Sequence, residues 1–225
     1  MTPVRERELE ALLASPQLPV LVQRLQAILA EEAERRRAFY EQVGEGDKAE
    51  FINGQIIYHS PVRLRHNACS GRLYRLLSTY VAMHDLGYVG YEKLLVSLTR
   101  NDYEPDICFF GQAKAAAFRP DQMHFPAPDF VVEVVSASTA AVDRGIKLLD
   151  YALHGVGEYW IVDPEEESLE QYLLDEGAEA YRLALKATTG EVRSRVVSGF
   201  VIPVRALFDD AVHRRTLQAI LGGRG

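Results

Sequence analysis

A glutamate stands at the centre of the most apolar run of the chain, Phe130-Val131-Val132-Glu133-Val134-Val135-Ser136. Valines at both phases of the strand alternation predict a strand buried on both faces, a central rather than an edge position, with structure packed above and below it. A carboxylate carried into such a strand loses its hydration, and the cost is prohibitive unless a cation or hydrogen-bond donors meet it. Upstream, Tyr103-Glu104-Pro105-Asp106-Ile107-Cys108-Phe109-Phe110 puts a second carboxylate at the head of another apolar strand, and Lys147 lies on the helix after the valine strand. Two acids on neighbouring strands with one lysine nearby point to a divalent-metal phosphodiesterase centre.

Asp106 and Glu133 are 27 residues apart, room for a strand, a connection and the next strand. Neighbouring strands lie about 4.8 Å apart, so two inward carboxylates can share one ion. Magnesium takes oxygen ligands at about 2.1 Å and keeps several waters, so two carboxylates plus a phosphate suffice. The alternative is structural: Glu133 satisfies an arginine and Asp106 caps a turn. Pro128-Asp129 offers a competing acid, but four residues at about 3.3 Å each put it roughly 13 Å from Glu133 along the strand. Asp129 therefore reads as a residue of the turn leading into the strand.

Asp143, Lys147 and Tyr151 are spaced i, i+4, i+8, on a helix face away from the stripe of Val142, Ile146, Leu149 and Leu153 that is expected to be buried. An exposed lysine paired with Asp143 competes with a functional role, in which Lys147 orients the attacking water and offsets charge in the transition state. Glu50 is either a third carboxylate of the site or a surface acid. His66, near the start of its helix, reads first as a packing or capping residue.

The 225 residues allow one substantial core, with 48% hydrophobic and 25% charged side chains. A net charge of −7 argues against a dedicated tight nucleic-acid binder, although residues 51–150 balance ten basic against ten acidic side chains. No apolar run is long enough to span a bilayer, so no membrane association is expected. Cys69 and Cys108 lack any metal-ligand spacing, and two reduced, packed cysteines suit a cytoplasmic protein. Gly44-Glu45-Gly46 follows a helix instead of a strand and is no dinucleotide loop.

Thr2-Pro3 is a candidate N-cap for a helix to about Leu13, Ser15 to Pro19 breaks it, and a longer helix runs from about Val20 to Gln42. This helical extension, residues 1–47, precedes an α/β domain at 48–225; it serves a homodimer or docking contact, or packs on its own core. The second region opens with an Asn53-Gly54 hairpin. A helix at 64–84 follows, then strands at 88–98, 103–110 and 129–136, a helix at 139–154 and a strand at 157–164. Further strands at 168–174, 180–186 and 192–197 precede a helical end. The order implies a mixed sheet flanked by helices.

The ordered text Glu50-Phe51-Ile52-Asn53-Gly54-Gln55, Ser60-Pro61, His66, Glu104-Pro105-Asp106, Pro128-Asp129 through Glu133 to Ser136, Asp143 to Lys147, Tyr151, Gly155-Val156 and Glu158 to Pro164 resembles one known family. It is a large bacterial restriction-endonuclease-like family, a domain of unknown function within the PD-(D/E)XK nuclease superfamily. The resemblance covers about 48–210. It implies a restriction-endonuclease-like fold, DNA as substrate, Asp106 and Glu133 as ligands of magnesium or manganese, and Glu50 as a supporting acid. The superfamily lysine normally stands two residues after the strand glutamate, where this chain has Val135. Related families place it on the next helix, where Lys147 stands. A catalytically inactive binding or regulatory module on the same fold is the alternative.

Overall fold

The computed structural model describes residues 3–44 and 46–223; the expected Thr2 cap and Glu45 of the expected linker lie outside them. The chain divides into two compact units, residues 1–59 with 100–102, and residues 60–99 with 103–225.

The first unit contains α1 (Pro3–Leu13), α2 (Leu18–Gln42) and the hairpin strands β1 (Ala49–Ile52) and β2 (Gln55–Tyr58). Helix α2 starts earlier than the sequence suggests because Pro19 falls in its first turn, where a missing N–H costs nothing. Asn53 and Gly54 take φ of +49° and +78°, the two left-handed positions of a type I′ turn. Opposite β1, Phe51 pairs with Asp102 of the short strand β5 (Asp102–Tyr103). Asp102 is buried and accepts a fork from Arg36 (2.6 and 2.8 Å) and the Tyr40 hydroxyl (2.8 Å).

The second unit is built on α3 (Leu64–Met83), β3 (Gly87–Tyr91), β4 (Leu95–Ser97), β6 (Ile107–Gly111), α4 (Gln112–Ala115), β7 (His124–Phe125) and β8 (Phe130–Val134). A crossover follows: α5 (Ala140–Val142), a π-helical turn (Asp143–Lys147) and α6 (Leu148–Leu153). Then come β9 (Glu158–Asp163), β10 (Ser168–Leu173), β11 (Arg182–Ala187), β12 (Glu191–Arg193), β13 (Val201–Pro203) and α7 (Asp210–Leu221). Six strands form one mixed sheet in the order β11-β10-β9-β8-β6-β3. The β8–β9 pair is parallel, as the helical crossover between them requires, and the other four pairs are antiparallel.

The valine strand is central, as its composition demands. Phe130, Val132 and Val134 join Ile107, Phe109 and Trp160 in a core with Leu73, Leu76 and Leu77 of α3. Alternation sends Val131 and Glu133 to the other face. Two expected elements differ. The run 88–98 is two strands, because Glu92 and Lys93 both take positive φ (+48° and +32°) and turn the chain from β3, in the large sheet, to β4, which pairs with β7. The run 103–110 becomes β5 and β6, separated at Pro105, which cannot donate to a ladder.

Candidate functional site

Register places the two proposed acids opposite each other. Ile107 pairs with Val132 and Cys108 with Val131, so one further step along the antiparallel ladder sets Asp106 across from Glu133. Asp106 lies just before β6 begins, and its side chain turns to the main chain of the neighbouring strand: Oδ2 accepts the Val134 N–H at 2.8 Å. The same oxygen stands 3.4 Å from Nε2 of His66, in the first turn of α3. The Asp106 carbonyl accepts the Glu92 N–H at 2.9 Å, which ties the acid to the turn after β3.

Glu133 is directed at the crossover. Its Oε1 accepts from Lys147 Nζ at 3.0 Å and from the Tyr151 hydroxyl at 3.3 Å. Lys147 is only 4% exposed and also lies 3.3 Å from Asp143 Oδ1, with its ammonium 5.6 Å from the centre of the Tyr103 ring. Tyr103 donates to Asp150 Oδ2 at 2.8 Å and packs against Tyr151. The expected orientation of this helix is therefore inverted. Asp143, Lys147 and Tyr151 are buried, while Leu149 and Leu153, expected inside, are 46% and 53% exposed. The physical reason is Glu133: a buried carboxylate needs a cation or hydrogen-bond donors, and turning Lys147 and Tyr151 inward supplies both.

The remaining acids resolve separately. Asp129 accepts the Gly111 N–H at 2.7 Å and pairs with Lys114 at 2.7 Å, a turn residue as expected. Glu50 belongs to the first unit, where it is buried with Oε2 3.2 Å from His59 Nε2. Val135, at the superfamily's usual lysine position, is buried and its N–H bonds the Val162 carbonyl at 2.9 Å. Tyr151 and Asp143 are the contacts that sequence reasoning underweighted. Their i, i+4 spacing about Lys147 was visible, but the face they occupy was assigned to solvent.

Among the described residues no group of three or more His, Cys, Asp and Glu side chains is arranged to hold a metal ion. Two carboxylates at opposed register positions are oxygen donors of the right kind for magnesium or manganese, which bind hard oxygen and retain waters. The chemistry available is thus a two-acid centre with a buried ammonium at one acid.

The Uma2 family model, described as "Putative restriction endonuclease", matches residues 31–205. Among solved structures, the chain is similar to a putative nuclease belonging to DUF820 from Anabaena variabilis ATCC 29413, with a TM-score of 0.65 and 18% identity over 76% of this chain and 94% of that one. No curated protein matches.

Proposed function

We propose that this chain, which belongs to the Uma2 family, is a magnesium- or manganese-dependent DNA endonuclease that hydrolyses phosphodiester bonds with a metal-activated water. The observation that carries the reading is that Lys147 meets Glu133 on the strand whose next residue, Val134, donates its N–H to Asp106. Asp106 and Glu133 would hold the cation. A bound divalent ion supplies a water of lowered pKa and offsets charge at phosphorus. Lys147 would donate to the attacking water and to developing charge on the phosphoryl oxygens, and Asp143, 3.3 Å from its ammonium, would help to hold it in place. Glu50 is proposed as a supporting acid on the family resemblance alone.

Purified protein mixed with supercoiled plasmid and Mg²⁺ should nick it, with chelation by EDTA, Asp106→Ala and Glu133→Ala each removing at least about 100-fold of the rate, or roughly 2.7 kcal/mol of transition-state stabilisation. Equal cleavage by wild type and both variants would overturn the assignment.

One observation favours a second reading. Glu133 Oε1 is already met by Lys147 and Tyr151, as it would be in a silent binding module where the lysine permanently neutralises the acid. Calorimetry separates the two, since a silent module binds no divalent ion at a site that Glu133→Gln removes. Self-association is proposed to run through α1 and α2, whose Leu9, Leu12, Val22, Leu25 and Leu29 are exposed. No helix among the described residues is long and apolar enough to cross a membrane.

A further inference from the structure

We infer that His66 is a positioning residue, which fixes the rotation of the Asp106 carboxylate for cation binding; this rests on the metal-dependent reading above. Helix α3 carries His66 in its first turn, and the ring is 8% exposed. Its Nε2 stands 3.4 Å from Asp106 Oδ2, the oxygen that also accepts the Val134 N–H at 2.8 Å. One carboxylate oxygen is thereby approached from two elements, α3 and β8. Each contact to a carboxylate restrains its rotation about the terminal bond, so the second contact on Oδ2 narrows the directions in which the other oxygen can point. With its hydrogen on Nε2, the imidazole supplies that contact.

Packing alone does not explain a histidine here. Nδ1 is buried without a hydrogen-bond partner among the described residues, a condition that costs stability. A leucine, as at Leu73 farther along the same helix, would fill the space with no orphan nitrogen. The main chain of Asp106 is held as well, through the Glu92 N–H at 2.9 Å from a turn whose two residues both take left-handed backbone conformations. Strain of that kind is kept where the surroundings enforce a geometry. With backbone and Oδ2 both tied, His66 is the contact that a substitution can remove without touching the ladder.

The test measures Mn²⁺ affinity by calorimetry, and melting temperature, for wild type, H66A, H66L and H66Q. H66L and H66A should bind Mn²⁺ about tenfold or more weakly, the effect of losing an outer partner of a metal ligand. H66L, having relieved the orphan nitrogen, should melt no lower than wild type, which separates positioning from folding. H66Q places a side-chain N–H at comparable reach and should recover most of the affinity. Wild-type affinity in H66L and H66A, or no recovery in H66Q, overturns the role of His66 alone. Absence of any Asp106-dependent Mn²⁺ binding in wild type removes the metal-dependent reading and this inference together.

Discussion

Three glutamates are buried in the large sheet, Glu133, Glu158 and Glu170, and the chain satisfies them by different means. Glu158 on β9 accepts from Trp160 (2.6 Å), Gln171 (2.7 Å), Ser194 (2.7 Å) and the N–H groups of Arg195 (2.8 Å) and Val196 (3.0 Å), all neutral donors. That carboxylate fastens the segment after β12 to the sheet. Glu133 instead meets an ammonium, which is itself shared with Asp143. A fold needing only a filled core has no use for a buried ion pair, since apolar residues of the same volume are as stable or more so. Breaking one side of the pair is another matter: Lys147→Met should destabilise by about 3–5 kcal/mol in urea unfolding, because Glu133 is left charged without its cation. Adding Glu133→Gln should restore a large part of that loss. A Lys147→Met protein as stable as wild type would mean that Glu133 does not depend on the lysine.

At the scale of elements, the crossover between β8 and β9 carries the most information. It is not one regular helix: five residues, Asp143–Lys147, form a π-helical turn between two α-helical pieces. A wider turn shifts the angular position of everything after it, and such turns recur at functional sites. Here it brings Asp143 and Lys147 together on the buried side. Its Arg144 reaches the next part of the sheet, contacting Glu170 Oε1 at 3.2 Å, where Lys186 (2.9 Å) and Tyr172 (2.7 Å to Oε2) converge. Burial pushes the Glu170 carboxyl up, but hydrogen bonds from Tyr172, Lys186 and Arg144 outweigh it and hold the group down at about 2, against an ordinary 4.5. A depressed acid stabilises the fold above its unfolded value and ceases to do so as pH falls through the folded one. Glu170→Gln should therefore melt below wild type at pH 7, with the difference shrinking between pH 4.5 and about 2. A difference independent of pH across that window would assign the effect to packing instead of charge.

For the whole molecule, charge and the N-terminal helices set the terms. A net charge of −7 opposes approach to a polyanion, so the proposed nuclease would have to draw its nucleic-acid affinity from local cations and from the ion it is proposed to bind. The family match begins at residue 31 and leaves α1 and the first half of α2 outside it. Along α2, Leu18, Leu21, Val22, Leu25, Ile28 and Leu29 recur at three- and four-residue spacing, and the last four are exposed. Two such stripes can pack on one another about a two-fold axis, and a second copy is the partner proposed for this one. Light scattering should give twice the chain mass of 25.3 kDa, falling to one chain when Leu25 and Leu29 are both changed to Ser. A monomer in wild type would remove the helices from any role in assembly.

Much of the architecture was legible because it rests on local rules. The paired valines announced a central strand, Asn53-Gly54 a tight hairpin, and the order of strands and helices a mixed sheet with a crossover. The carboxylates at 106 and 133 stood out because acids are improbable in apolar strands. The breaks at Glu92–Lys93 and Pro105, the π-helical turn, and the face that the crossover presents could not be read in this way. Periodicity ranks helix faces by hydrophobicity, a sum of small and similar terms. The requirement of one buried carboxylate for a cation or hydrogen-bond donors is a single large term, and it appears only once β8 has been placed in the sheet beside the helix. Sequence alone thus determined which strand lies at the centre and which acids it would have to accommodate. Tertiary structure decided that Lys147 turns inward at the expense of Leu149 and Leu153, and that His66 comes to stand against Asp106, because both depend on partners distant along the chain.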